Sequence, residues 1–173
     1  NADGLVDLAR AAEAGGAAWL TVHARTRKQL YKPPVDWRAL GKAREAISIP
    51  LVANGDLFDL EDFAACAAES GCSDFMVGRG AMAQPEIFAR LRNPSRARLS
   101  SGTFADLLLT YLARMNPQPE LTPRQGLGRL KQWLRMGAIS RRDLSDWFDQ
   151  VKRMQSATEA RDFLRAAAAS CAA

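Results

Sequence analysis

The 173-residue chain is 47% hydrophobic, which suits one domain or one and a half, and it has no run of about 18 apolar residues able to cross a membrane. Its three cysteines, Cys66, Cys72 and Cys171, lack metal-ligand spacing, and the single histidine, His23, rules out a multi-histidine metal site. The net charge of +5 is uneven: residues 1–91 hold 10 Lys+Arg against 12 Asp+Glu, and residues 92–173 hold 14 against 7, so the second half is the one suited to a polyanion.

The opening residues, NADGLVDLAR, are already amphipathic and do not resemble a signal peptide. Asp3 is placed to cap a helix with Leu5, Leu8, Ala9 and Ala12 on one face, and Gly15-Gly16 ends it. Residues 17–22 read as a buried strand that ends at His23-Ala24-Arg25-Thr26-Arg27. A basic and aromatic loop follows with Arg27, Lys28, Tyr31 and Lys32, stiffened by Pro33-Pro34. Asp36 then caps a helix that turns Trp37, Leu40, Ala43 and Ile47 inward. Residues 50–53 and 75–77 are two more short apolar strands. Each ends in a glycine-bearing turn, Asn54-Gly55-Asp56 and Gly78-Arg79-Gly80. Between them Asp59 caps a helix with Leu60, Phe63, Ala64 and Ala67 on one face, closed by Gly71. Pro85 suits a first helical turn, after which Ile87, Phe88 and Leu91 point inward.

Residues 3–91 therefore alternate α-β-α-β-α-β-α, the pattern of consecutive βα units on a parallel sheet. Three parallel strands cannot close a barrel, so we read the chain as the C-terminal part of a longer protein. In a (β/α)8 barrel the loops after the last two strands make a phosphate site from glycine backbone N–H groups. Arg79, between two glycines, adds a charged fork beside such amides. The competing reading is two ordinary βα turns, since lone glycine motifs are weak signals.

Beyond Arg92 the pattern changes to helix alone. Residues 93–102 form a polar linker, and Thr103 starts a helix with Phe104, Leu107, Leu108, Tyr111, Leu112 and Met115 at helical spacing. Residues 116–123, with three prolines, break it. A helix over 124–136 buries Leu127, Leu130 and Leu134, while Arg124, Lys131 and Arg135 line a different face. A third carries Leu144, Trp147, Phe148 and Val151. The last opens on a capping box, Ser156-Ala157-Thr158-Glu159, and buries Phe163 and Leu164. The prediction is a small four-helix bundle with a basic side. That side reads either as a nucleic-acid face or as a solvated one, and the charge alone leaves both open.

Four segments carry a resemblance: VHARTR (22–27), IPLVANGDL (49–57), SGCSDFMVGRGA (70–81) and GRLKQWL (128–134). Together they resemble the tRNA-dihydrouridine synthase family, and GRLKQWL resembles its DusC-like branch. The resemblance implies a flavin-dependent TIM barrel followed by a helical tRNA-binding domain. It implies FMN as cofactor, NADPH as reductant, and reduction of the C5–C6 double bond of a D-loop uridine of tRNA, with U16 the candidate position. On that basis residues 1–92 are the last three βα units with the FMN phosphate site, 93–102 a linker, and 103–173 the tRNA-binding domain.

Residue by residue, the resemblance places Asn54, Gly55, Asp56, Gly78 and Arg79 at the phosphate and ribityl end of FMN. His23 falls near the flavin ring and the target base, with Arg25 beside it. Lys32, Arg129, Lys131, Gln132 and Arg135 fall where tRNA contacts are expected. No metal site is implied, and a cytoplasmic, monomeric full-length protein is expected. The family's general acid is a cysteine in an N-x-x-G-C-P type turn, which this sequence does not contain. None of Cys66, Cys72 and Cys171 replaces it, so the chain by itself is expected to be inactive. The alternatives are another FMN-dependent TIM-barrel oxidoreductase, similar to dihydroorotate dehydrogenase, and a non-catalytic RNA-binding fragment.

Overall fold

The computed structural model describes residues 2–29, 34–115 and 123–170. The chain divides into two compact units, Asn1–Gly80 and Ala81–Ala173. In the first, α1 (Ala2–Ala14), β1 (Leu20–His23), α2 (Trp37–Glu45), β2 (Leu51–Asn54), α3 (Leu60–Ser70) and β3 (Asp74–Met76) follow one another. The three strands are parallel in the order β1-β2-β3. This matches part of a barrel: each strand returns through a helix, and α2 packs against α1 and α3.

Local signals set these elements. Asp36 accepts from the Ala39 amide at 3.0 Å and starts α2. Asp59 and Asp62 form a reciprocal capping box at the start of α3, with Asp62 accepting from the Phe58 and Asp59 amides at 2.8 and 2.9 Å. Gly71 ends α3 at φ 65°, a left-handed cap. Cys66 is fully buried on this helix, and burial pushes its thiol pKa up, so it is an inert core residue.

The strands lie one to three residues away from the segments expected from the apolar runs. Ala17 and Ala18 precede β1, and His23 and Asn54 are within the ladder. Apolar composition marks a buried run, whereas strand limits follow backbone pairing, which a polar residue can join. Side chains alternate across the sheet. Leu51 and Ala53 are buried on one face of β2, while Thr21, His23, Asp74 and Met76 of the neighbouring strands are exposed.

The second unit holds the short helices α4 (Arg79–Ala83), which begins at the boundary, and α5 (Ile87–Arg92), followed by α6 (Ser101–Met115), α7 (Pro123–Gly137), α8 (Arg142–Val151) and α9 (Ala157–Ser170). Helices α6 to α9 share one apolar cluster: Phe104, Leu108, Leu130, Leu134, Leu144 and Leu164 are wholly buried in it, with Trp133 and Trp147 packed at its edge. The division at Gly80 falls ahead of the expected boundary at residue 92. Trp133 donates from Nε1 to the Met82 carbonyl at 2.7 Å, and the Leu99 amide donates to Glu86 at 3.0 Å, so residues after 80 are tied into the second unit. Helix α6 starts at Ser101 because Ser100 caps it, accepting from the Thr103 amide at 3.1 Å. Among the described residues no helix is long and apolar enough to cross a membrane.

Candidate functional site

Register brings the first three polar groups together. His23, Asn54 and Met76 are paired across the carboxyl ends of β1, β2 and β3. The Ala24 amide donates to the Asn54 carbonyl at 2.8 Å, extending the ladder one step past His23. The Asn54 side chain then links its neighbours: Nδ2 donates to the Met76 carbonyl at 2.6 Å, and Oδ1 lies 2.5 Å from His23 Nδ1. Carboxyl ends of parallel strands are where loops converge on ligands in this class of fold.

Past Asn54 the chain turns through Gly55 at φ 129° and Asp56 at φ 48°. Glycine takes such a conformation freely and aspartate tolerates it. Trp37 donates from its indole to the Gly55 carbonyl at 3.1 Å and braces the turn from α2. The turn presents the Asp56 carboxylate to two arginines. Arg25 binds it with both terminal nitrogens, one at 2.9 Å to Oδ1 and the other to Oδ2. Arg79 reaches the same Oδ1 at 2.8 Å. The Arg25 side chain is 1% exposed, so its charge requires this carboxylate, while Arg79 is 29% exposed. The Arg79 guanidinium also lies 5.5 Å from the centre of the Phe58 ring.

The expected turn at Gly78-Arg79-Gly80 is the start of α4, and Gly80 lets that helix begin hard against the loop after Asp56. A Cβ there would stand 1.8 Å from the Leu57 carbonyl oxygen, which no side chain survives. Gly78 is the opposite case, with no atom within 4 Å of where its Cβ would lie, so open space adjoins its backbone. On the β1 side a cleft of about 420 Å³ is lined by Leu5, Leu8, His23, Arg25, Gln29 and Leu40, among others.

The structure therefore gathers His23, Arg25, Asn54, Gly55, Asp56 and Arg79 at one end of one sheet, with Gly78 in the adjoining loop. Sequence reading did not single out Asp56 as the hub of two arginines, Trp37 as the brace, or the Met76 carbonyl as the anchor for Asn54. An acid after N-G and an arginine two residues past a histidine were visible, but their pairing spans 31 positions. Lys32 lies outside the described residues.

In the second unit Arg129, Gln132 and Arg135 are exposed on α7, as is Arg124. Lys131 differs: its ammonium donates to the Lys152 and Met154 carbonyls at 3.0 and 2.6 Å. It holds the end of α8 rather than projecting with its neighbours, as a cation at a helix C-terminus does. Arg141 clips the starts of α6 and α8, donating to the Leu99 carbonyl and Ser101 Oγ, each at 2.8 Å, and to Asp143 at 2.7 Å. Burial pushes the Asp143 carboxyl up, but hydrogen bonds from Arg141 and Ser101 outweigh it and hold the group below the usual carboxylate value. No cluster of three or more His, Cys, Asp or Glu suited to a metal occurs among the described residues.

Residues 1–170 match the family model described as "Dihydrouridine synthase (Dus)". Among curated proteins, the chain is similar to the tRNA-dihydrouridine(16) synthase of Ralstonia nicotianae, at 38% identity over 154 residues, 84% of this chain and 45% of that protein. It is similar to the enzyme of the same name from Neisseria meningitidis serogroup B, at 35% identity over 153 residues, 87% of this chain and 46% of that protein. The Salmonella typhimurium protein of that name is 32% identical over 154 residues, 88% of this chain and 48% of that protein. The chain thus spans about half the length of the curated relatives it matches.

Proposed function

The chain belongs to the dihydrouridine synthase family, and from that premise we propose that its first unit is the end of a flavin-binding TIM barrel in a tRNA-dihydrouridine synthase. The whole protein reduces a D-loop uridine of tRNA with FMN and NADPH in the cytoplasm, and position 16 is the target named for its relatives. The observation that carries this reading is the meeting of the Asn54-Gly55-Asp56 and Gly78-Arg79-Gly80 loops at the strand carboxyl ends.

The residues fit the phosphate end of FMN. Open space adjoins Gly78, and the partly exposed Arg79 guanidinium stands on the next residue, the first of α4. A carboxylate would repel a phosphate, so Asp56 acts through Arg79 by fixing its direction. Asn54 and Gly55 shape the loop opposite, and Arg25 buttresses Asp56 from beneath. His23 opens into the β1 cleft, with Arg25 in its wall, on the side assigned to the flavin ring and the base. When bound, the flavin supplies the hydride that goes to C6 of uracil. The proton for C5 does not come from Cys66 or Cys72, both buried away from this end, so that acid belongs elsewhere in the protein.

Helices α6 to α9 are read as a four-helix tRNA-binding bundle, with Arg129, Gln132 and Arg135 facing the RNA. Lys131 supports that face from within. The test uses the full-length protein. Purified, it should carry FMN and, given NADPH and unmodified tRNA, produce a two-hydrogen mass gain in one D-loop uridine. A folded protein that holds no FMN, or tRNA that gains no mass, overturns the assignment. The 173-residue chain alone should bind FMN weakly and reduce nothing.

A further inference from the structure

The hydrogen bonds at the strand ends determine where the proton on His23 sits. The Met76 carbonyl can only accept, and it lies 2.6 Å from one end of the Asn54 amide. That end must be the NH₂, since an amide oxygen there would oppose a second oxygen. The other end, 2.5 Å from His23 Nδ1, is therefore the amide oxygen, which also only accepts. A hydrogen bond between them requires the proton to be on Nδ1. We infer that Asn54 is a positioning residue that fixes His23 in the Nδ1–H tautomer, so that Nε2 is the atom that gains and releases a proton.

The parts that hold this arrangement are backbone features. His23, Asn54 and Met76 are ladder partners, and the Arg25 amide donates back to the His23 carbonyl at 2.8 Å. The amide of Asn54 is thus gripped between two rigid strands before any ligand arrives. Around the imidazole, the cleft brings Arg25 from the end of β1 and Asp36 from the start of α2. Arg25 is matched by Asp56, and Asp36 accepts from the Ala39 amide, so neither supplies a competing acceptor bonded to Nδ1. Neutral His23 offers Nε2 as an acceptor, and the protonated ring offers a donor at that same atom. The proton assignment stands on these hydrogen bonds; its use toward flavin or base rests on the function proposed above.

Because the chain has one histidine, the tautomer can be read without ambiguity. Long-range ¹H–¹⁵N correlation spectra of the labelled 173-residue chain are recorded at about pH 8.5, well above the usual imidazole pKa of about 6.5. The expected result is a pyrrole-like Nδ1 and a pyridine-like Nε2. Asn54→Ala should lose this pattern and move to the Nε2–H form or to averaged shifts. A wild-type ring in the Nε2–H form, or averaged between forms, overturns the inference, as does an Asn54→Ala spectrum identical to wild type. If Asn54→Ala does not fold, the wild-type spectrum still decides, because a ring in the Nε2–H form or averaged between forms contradicts the argument. Failure of FMN to bind would count against the flavin site and leave these spectra unchanged.

Discussion

Each unit builds an arginine–aspartate cluster, and the two differ in what they leave facing outward. In the first, Arg25 is buried beneath Asp56 while Arg79, the first residue of α4, binds the same carboxylate next to open space at Gly78. In the second, Arg141 is 10% exposed, lies 5.7 Å from the centre of the Phe104 ring, and directs its nitrogens at Leu99, Ser101 and Asp143. The residue types are the same. At the strand carboxyl ends one guanidinium stays part-exposed beside a glycine, whereas the starts of α6 and α8 seal theirs inward. The cores differ in the same way. Helices α6 to α9 bury Phe104 and seven leucines in their shared cluster. The first unit buries mainly small residues such as Ala9, Ala43, Ala53 and Cys66, and leaves Leu8 70% and Trp19 63% exposed.

The largest expected effect tests the second core. Phe104→Ala should cost about 3–5 kcal/mol, the usual range for a buried aromatic. Denaturant unfolding followed by the Trp133 and Trp147 signals measures it, and a loss below about 1 kcal/mol would mean that the cluster is not one core. Next comes the contrast within the first cluster. In the full-length protein Arg79→Ala should weaken FMN binding by about 1.5–3 kcal/mol, as for hydrogen bonds to charged groups, with little change in melting temperature. Arg25→Ala should instead destabilise the fold, because it strips Asp56 of its buried partner. Equal effects on melting from the two would erase the distinction.

Lys131 and Arg129, two residues apart on α7, should separate in the same manner. Lys131→Ala should lower stability by about 1.5 kcal/mol through loss of its bonds to the Lys152 and Met154 carbonyls. Arg129→Ala should leave stability alone and flatten the log–log salt dependence of tRNA binding by about one unit. Titrations of labelled tRNA at several salt concentrations, beside thermal melts, decide it. A flattened slope for Lys131→Ala with no loss of stability would group Lys131 with Arg129 rather than with the end of α8.

The smallest effect concerns pH. The folded pKa of Asp143 lies below its unfolded value of about 3.9, so its contribution is present above that value and fades as pH falls through the folded one. Stability of the wild-type chain should therefore decline with acid below about pH 4 more steeply than that of Asp143→Asn. Parallel slopes for the two would remove Asp143 from the clip.

The sequence by itself determined the alternation of strand and helix in the first unit, the run of helices in the second, and two of the helix starts. The caps at Asp36 and Asp59, the stop at Gly71 and the helical spacing from Phe104 to Leu164 act over three or four residues, so a linear reading reaches them. It also marked the turn at Asn54-Gly55-Asp56, because backbone turning depends on residue type, whereas the expected turn at Gly78-Arg79-Gly80 runs into α4 from Arg79. Tertiary structure alone decided what the charged groups do. Asp56 holds arginines that are 31 and 23 positions away, and Lys131 caps a helix end 21 to 23 positions on. No period or local propensity specifies such partners. Strand register and helix packing bring them within 3 Å of one another, and a basic residue is then part-exposed or a buried brace according to which carboxylate or carbonyl that packing places beside it.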